Sequence, residues 1–92
     1  MSNDYRKRDV ARAFGLALRA ARVERGLSQD RLSEICDVDR TYPSLVERGL
    51  RCPTLAMLLR LADVLEIGPD RLVSDAVERL CREEQSSKPR GQ

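Results

Sequence analysis

The side chains best placed to do chemistry in this chain lie in three runs: Leu27-Ser28-Gln29-Asp30-Arg31-Leu32, Asp39-Arg40-Thr41-Tyr42 and Val46-Glu47-Arg48-Gly49. They offer hydrogen bonding and charge rather than bond making. The basic residues are almost all arginine, with lysine only at positions 7 and 88. Guanidinium groups favour two-pronged contacts with phosphate or guanine. The chain has no histidine, no nucleophile beside a base, no glycine-rich phosphate loop and no metal-ligand set, so it does not read as an enzyme and no cofactor is expected. Cys36, Cys52 and Cys81 are too widely spaced for a zinc knuckle, and three is an odd count for a closed disulfide framework. Cys36 and Cys81 fall at apolar helical positions and read as core or interface residues. Cys52, in a loop, is the thiol open to reaction, yet it too reads as structural.

The elements that position these side chains are two short helices joined by a tight turn, the second closed by Gly49. This is the layout of a helix-turn-helix, whose second helix lies in the major groove of DNA. The residues opening that second helix are polar or basic, whereas Leu45 and Val46 supply the apolar contact that holds it to the domain. Ser28 is a good N-cap for a helix over 29–36 with Leu32, Ile35 and Cys36 as its apolar residues. Asp37 and Val38 form the turn, at a place that calls for a left-handed residue. Asp39 or Thr41 caps the next helix. Pro43 predicts either a distorted opening turn or a helix that begins at Tyr42 or Pro43.

Around this unit the periodicity predicts three more helices. Asp9 caps the first, which runs to about Arg25 with Val10, Phe14, Ala17, Leu18 and Ala21 as one buried stripe. Gly26 ends it as a left-handed residue. Thr54 caps the fourth, to about Glu66, with Leu55, Leu58, Leu61, Ala62 and Leu65 inward. Pro69 suits the first position of the fifth, which runs to about Glu83. Ninety-two residues make one domain with a modest core. Hydrophobic residues are 41% but aromatics only 3%, so the core is aliphatic and the fold all-α. The expected organisation is a flexible arm over 1–8, the DNA-binding domain with its last helix over 9–84, and a disordered tail over 85–92. With no signal peptide, transmembrane run or lipidation motif, the reading is cytoplasmic, nucleoid-associated and without membrane contact.

The net charge of +2 is small, but it is unevenly spread. Residues 1–26 carry seven basic against three acidic residues, 27–53 four against five, and 54–92 six against seven. A basic amino end attracts a polyanion even when the whole chain is nearly neutral, and the same residues also suit a solvated helix face.

Taken in order, Arg22 and Gly26, Leu27-Ser28-Gln29, Leu32-Ser33-Glu34, Glu47-Arg48-Gly49 and Pro53-Thr54 resemble the Cro/repressor-type (XRE-like) helix-turn-helix domain of phage repressors and small bacterial regulators. The resemblance spans Phe14 to about Val73 and implies a compact five-helix, lambda-repressor-like domain. It also implies roles for single residues. Arg22 pairs with Glu47, tying the first helix to the end of the reading helix. Arg40, Thr41, Ser44 and Leu45 fall at or beside the base-reading positions, with Arg40 suited to guanine O6 and N7. Gln29, Tyr42, Arg48 and Arg51 fall at backbone-contacting positions. Each has a plainer reading: Arg40 balancing Asp37 and Asp39, Tyr42 packed on the domain, Leu45 in the core, Ser44 merely small. Three residues depart from the pattern: Ser33 for alanine, Asp37 for the turn glycine and Pro43 for an aliphatic residue. The Asp39-Arg40-Thr41-Tyr42 run is similar to that of restriction–modification controller proteins, which are homodimers.

The expected activity is sequence-specific transcriptional regulation by a homodimer on a palindromic site in double-stranded DNA, its half-sites about one helical turn apart. The fifth helix has more apolar residues than one docked face needs, and Met57 and Val64 form a second stripe. Met57, Val64, Val73, Val77 and Leu80 are the expected dimer interface. The alternative is an antitoxin or other interaction module of the same fold that binds a protein partner through the arm and tail.

Overall fold

The computed structural model describes residues 5–87, with the side chains of 83–87 left aside. The described chain forms α1 (Lys7–Glu24), α2 (Gln29–Cys36), α3 (Tyr42–Glu47), α4 (Leu55–Val64) and α5 (Pro69–Ser87). Among the described residues there is no strand, and no helix is long and apolar enough to cross a membrane. The expected arm is shorter than its reading, because Lys7 and Arg8 already belong to α1. The helix starts after Arg6, and Asp9 sits inside its first turn rather than capping it. A carboxylate there still faces the positive end of the helix dipole, so the same residue satisfies both placements. At the other end α5 continues to Ser87, into the stretch read as tail; residues 1–4 and 88–92 lie outside the described residues.

Two helix starts are set by hydroxyl caps. Ser28 Oγ accepts from the Arg31 amide at 3.0 Å, and Thr54 Oγ1 from the Met57 amide at 3.1 Å. The stops share one device. Gly26, Asp37, Gly49 and Glu66 all have positive φ, between 55° and 77°. In each case the next amide, of Leu27, Val38, Leu50 or Ile67, reaches back to a carbonyl five residues earlier at 2.9–3.2 Å. This is the Schellman closure, which satisfies carbonyls that the helix leaves unpaired. The residue after each left-handed position is apolar. Leu27, Val38 and Ile67 fold onto the core, whereas Leu50 stays outside.

Asp37 therefore does what a glycine does at this turn, at a conformational cost that glycine lacks. Asp37→Gly is expected to stabilise the domain by about 0.5 kcal/mol, the relief of left-handed strain being partly offset by the freer unfolded chain. Urea denaturation of the two proteins checks this, and a loss of stability would mean the aspartate side chain contributes a contact of its own.

The core is Phe14, Ala17, Leu18 and Ala21 of α1, Leu32 and Cys36 of α2, Val46 of α3, Leu61, Ala62 and Leu65 from α4 and its end, and Leu72 and Ala76 of α5. α1 lies along α5 and crosses α3, while α2 packs on α3 and α4. Three apolar residues leave their expected places. Leu55, read as inward, is 71% exposed. Met57 and Val64, read as an outward stripe, are half-buried against the core. The outward apolar residues of α4 are instead Leu55 and Leu59, one turn apart. Ile35 is also exposed.

Candidate nucleic-acid interface

α3 is only six residues long, so its pose depends on what holds its two ends. At the carboxyl end, Glu47 is buried and its carboxylate collects three donors. Arg22 Nε donates to Oε2 at 2.6 Å, Arg22 Nη2 to Oε1 at 3.1 Å and Gln29 Nε2 to Oε1 at 2.9 Å. The remaining Arg22 Nη1 donates to the Leu27 carbonyl at 2.7 Å. One carboxylate thus ties α1, α2 and α3 together. The bond from Gln29, eighteen residues away, has no counterpart in the sequence reading, which gave Gln29 a phosphate alone. Its amide nitrogen has a second N–H, which is the donor left for that contact.

The amino end of α3 is held by Asp39. Its Oδ1 accepts from the Thr41 amide at 2.9 Å and from the Thr41 hydroxyl at 2.7 Å. The Tyr42 amide closes the same turn on the Asp39 carbonyl at 2.9 Å. These bonds hold the Asp39 carboxyl below its usual range, the Thr41 hydroxyl contributing most, then the Thr41 amide, with a smaller contribution from nearby Arg40. The helix proper begins at Tyr42. Pro43 is then its second residue, where a missing N–H breaks no helical hydrogen bond, and its ring is buried. Of the two outcomes the proline predicted, the structure takes the later start.

Cationic and polar groups stand around this helix. Arg40 is exposed, with Nε 3.8 Å from Asp30 Oδ1, a loose surface pair. Thr41 is exposed, and Ser44 and Leu45 are half-buried. Arg48 Nε is 3.2 Å from Ser44 Oγ, which steadies the guanidinium from behind. The Arg51 guanidinium lies over the Tyr42 ring, 5.7 Å from its centre. Burial raises the Tyr42 hydroxyl above its usual range, with Arg51 opposing. The acids Asp30, Glu34 and Asp37 share a shallow depression with Arg40, so the surface is mixed rather than uniformly basic.

Two positioning residues escaped the sequence reading. Arg60 of α4 donates from Nη1 to the Cys36 carbonyl at 3.1 Å, capping α2 where the turn begins. Cys36 itself is buried, and burial pushes its thiol up despite the nearby Arg60. Gly15 of α1 is the other. A Cβ there would overlap the Val46 carbonyl oxygen and come within 2.7 Å of that of Glu47. A glycine interrupting an apolar helical stripe is the signal that marks such a close approach.

A separate apolar groove of about 160 Å³ runs between α1, the loop before α4, and α5. Val10, Phe14, Pro53, Leu58 and Ala76 line it, with Val73, Val77 and Leu80 along α5. Val73 and Val77 are 41% and 40% exposed. Leu80 is half-buried.

A helix-turn-helix family model matches residues 18–72. A hypothetical transcription factor of Neisseria meningitidis serogroup B is 32% identical over 74 residues, which are 80% of this chain and 70% of that protein. Among solved structures, the restriction–modification controller protein C.AhdI of Aeromonas hydrophila is 42% identical, with a TM-score of 0.65 over 67% of this chain and 94% of its own. The clp gene regulator ClgR of Corynebacterium glutamicum has a TM-score of 0.80 over 84% of this chain and 82% of its own. At 23% identity it speaks for the fold alone.

Proposed function

The chain belongs to the helix-turn-helix family, and we propose that it is a DNA-binding transcriptional regulator that works as a two-fold dimer on a palindromic operator. The observation that carries this reading is the pairing of a rigidly held α3 with exposed arginines on either side of it. Glu47 and Asp39 fix the two ends of the helix, while Arg40, Arg48 and Arg51 are exposed. In this reading α3 enters the major groove. Arg40, Thr41, Ser44 and Leu45 face base edges, with Arg40 on a guanine. Gln29, Tyr42, Arg48 and Arg51 take the phosphates that set its register. The similarity to a controller protein and to a hypothetical transcription factor supports the regulatory role.

One domain of this size makes few base contacts, and a second copy doubles them. The proposed interface is α5, through Val73, Val77 and Leu80 beside the apolar groove. Met57 and Val64 contribute less than their spacing suggests, because they face the core. A cytoplasmic place of action follows from this reading.

Selection from a random duplex library at near-physiological salt, with wild type and Arg40→Ala, tests base reading. A palindromic motif blurred at one base pair by Arg40→Ala is expected. Weak, salt-sensitive binding without a motif overturns the proposal and makes a protein partner the leading explanation. Val77→Glu tests the interface by sedimentation. The expected result is a monomer that keeps its helicity, whereas global unfolding would place Val77 in the core and reject this interface.

A further inference from the structure

Asp39 is an unexpected residue for a surface that meets a polyanion. An exposed carboxylate next to Arg40 in the chain weakens the local attraction for phosphate. Its bonds give it a reason to be there. A threonine hydroxyl has one proton and two lone pairs. In Thr41 that proton points to Asp39 Oδ1, 2.7 Å away, and an ionised carboxylate can only accept. The direction of the bond is therefore fixed, and the same oxygen also holds the Thr41 amide at 2.9 Å. Withdrawal of water on binding strengthens both bonds and raises the cost of stripping the carboxylate of its donors.

We infer that Asp39 determines specificity by polarising Thr41: with its proton committed, Thr41 offers the bases an acceptor and a methyl group but no donor. The inference rests on the proposed base-reading role of Thr41 and says what that residue selects. The major-groove edge of guanine offers O6 and N7, both acceptors, and gives such a side chain nothing to bond. Adenine N6 and cytosine N4 carry amino donors that match the free lone pair. Thr41 thus bonds adenine or cytosine, its methyl group also suits a thymine methyl, and guanine alone finds no match there. Arg40, all donor, reads guanine, so adjacent side chains carry opposite hydrogen-bonding polarity.

The test is the same library selection, extended to Thr41→Val, Asp39→Ala and Asp39→Asn, with circular dichroism melts confirming that each variant is folded at the assay temperature. Wild type is expected to reject guanine about tenfold at one half-site position, the worth of one hydrogen bond. Thr41→Val keeps the shape and the methyl group but puts a second methyl in place of the hydroxyl and has no lone pair, so the preference for an amino donor there should be lost. Asp39→Ala frees the proton and should admit guanine at that position. Asp39→Asn keeps an accepting oxygen and should retain the rejection. A guanine preference in wild type, an unchanged preference in folded Thr41→Val, or continued rejection of guanine in folded Asp39→Ala overturns the inference, while a motif that responds to Arg40→Ala leaves the base-reading proposal standing. Absence of any wild-type motif overturns both.

Discussion

Glu47→Ala is expected to cost about 3–5 kcal/mol, a large share of the roughly 5–15 kcal/mol that holds a small domain together. The Arg22 and Glu47 side chains are only 11% and 3% exposed. Removing the carboxylate leaves the guanidinium in place with the Leu27 carbonyl as its remaining acceptor here, and also strips Gln29 of its partner. A charge taken out of water and then unpaired is among the most expensive defects a fold can carry. Replacing both members by apolar residues, as in Arg22→Met with Glu47→Leu, removes that unpaired charge and should cost clearly less than the single change. Urea denaturation of the two variants against wild type measures the difference. If the double change is the worse of the two, the pair contributes net attraction rather than merely avoiding a defect. DNA affinity should fall with Glu47→Ala beyond what unfolding explains, because the pair also fixes the end of α3. A salt titration separates that loss from nonspecific phosphate binding, which it should leave nearly unchanged.

Much of this architecture is legible from local chemistry, and the illegible parts share a cause. α2 has the expected bounds, Gln29–Cys36, because Ser28 starts it and a left-handed residue must follow. α5 begins at Pro69 because that ring suits the first helical position. These are decisions made within four or five residues. Leu55 shows where local reading stops. α4 has leucine at 55, 58, 59, 61 and 65, and helical spacing alone does not say which of several apolar faces turns inward. The structure buries Leu61 and Leu65 and leaves Leu55 and Leu59 outside, a choice made by α1, α2 and α5 rather than by α4. The start of α1 is ambiguous from sequence for a related reason: aspartate favours both the cap and the first turn, and the structure puts Asp9 in the first turn. In the candidate interface, the residue types were readable but their wiring was not. Gln29 reaching Glu47 and Arg60 reaching the Cys36 carbonyl span 18 and 24 residues. Such contacts exist only after the helices have packed.

Gly15→Ala should destabilise the domain by about 2 kcal/mol, although helix propensity alone predicts the opposite sign. Within an exposed helix, exchanging glycine for alanine gains about 1 kcal/mol. Gly15 is buried in the middle of α1 with ordinary helical backbone, so nothing about its own conformation requires glycine. What requires it is the neighbour. An added Cβ would overlap the Val46 carbonyl oxygen and sit 2.7 Å from the Glu47 oxygen and 2.9 Å from the Glu47 carbonyl carbon. These are backbone atoms of α3 and cannot swing aside like a side-chain tip. Relief requires α1 and α3 to move apart, and overpacking of this kind costs about 1–3 kcal/mol or more, which outweighs the propensity gain. The movement also stretches the Arg22–Glu47 bonds, because they bridge the same two helices. A fall of roughly 8–16 °C in the melting temperature is therefore expected, together with loss of specific DNA binding at temperatures where the variant is still folded. A variant as stable as wild type would mean that α3 can shift by the needed fraction of an ångström at no cost. Unchanged DNA affinity in that variant would further show that the separation of α1 and α3 does not set the pose of α3.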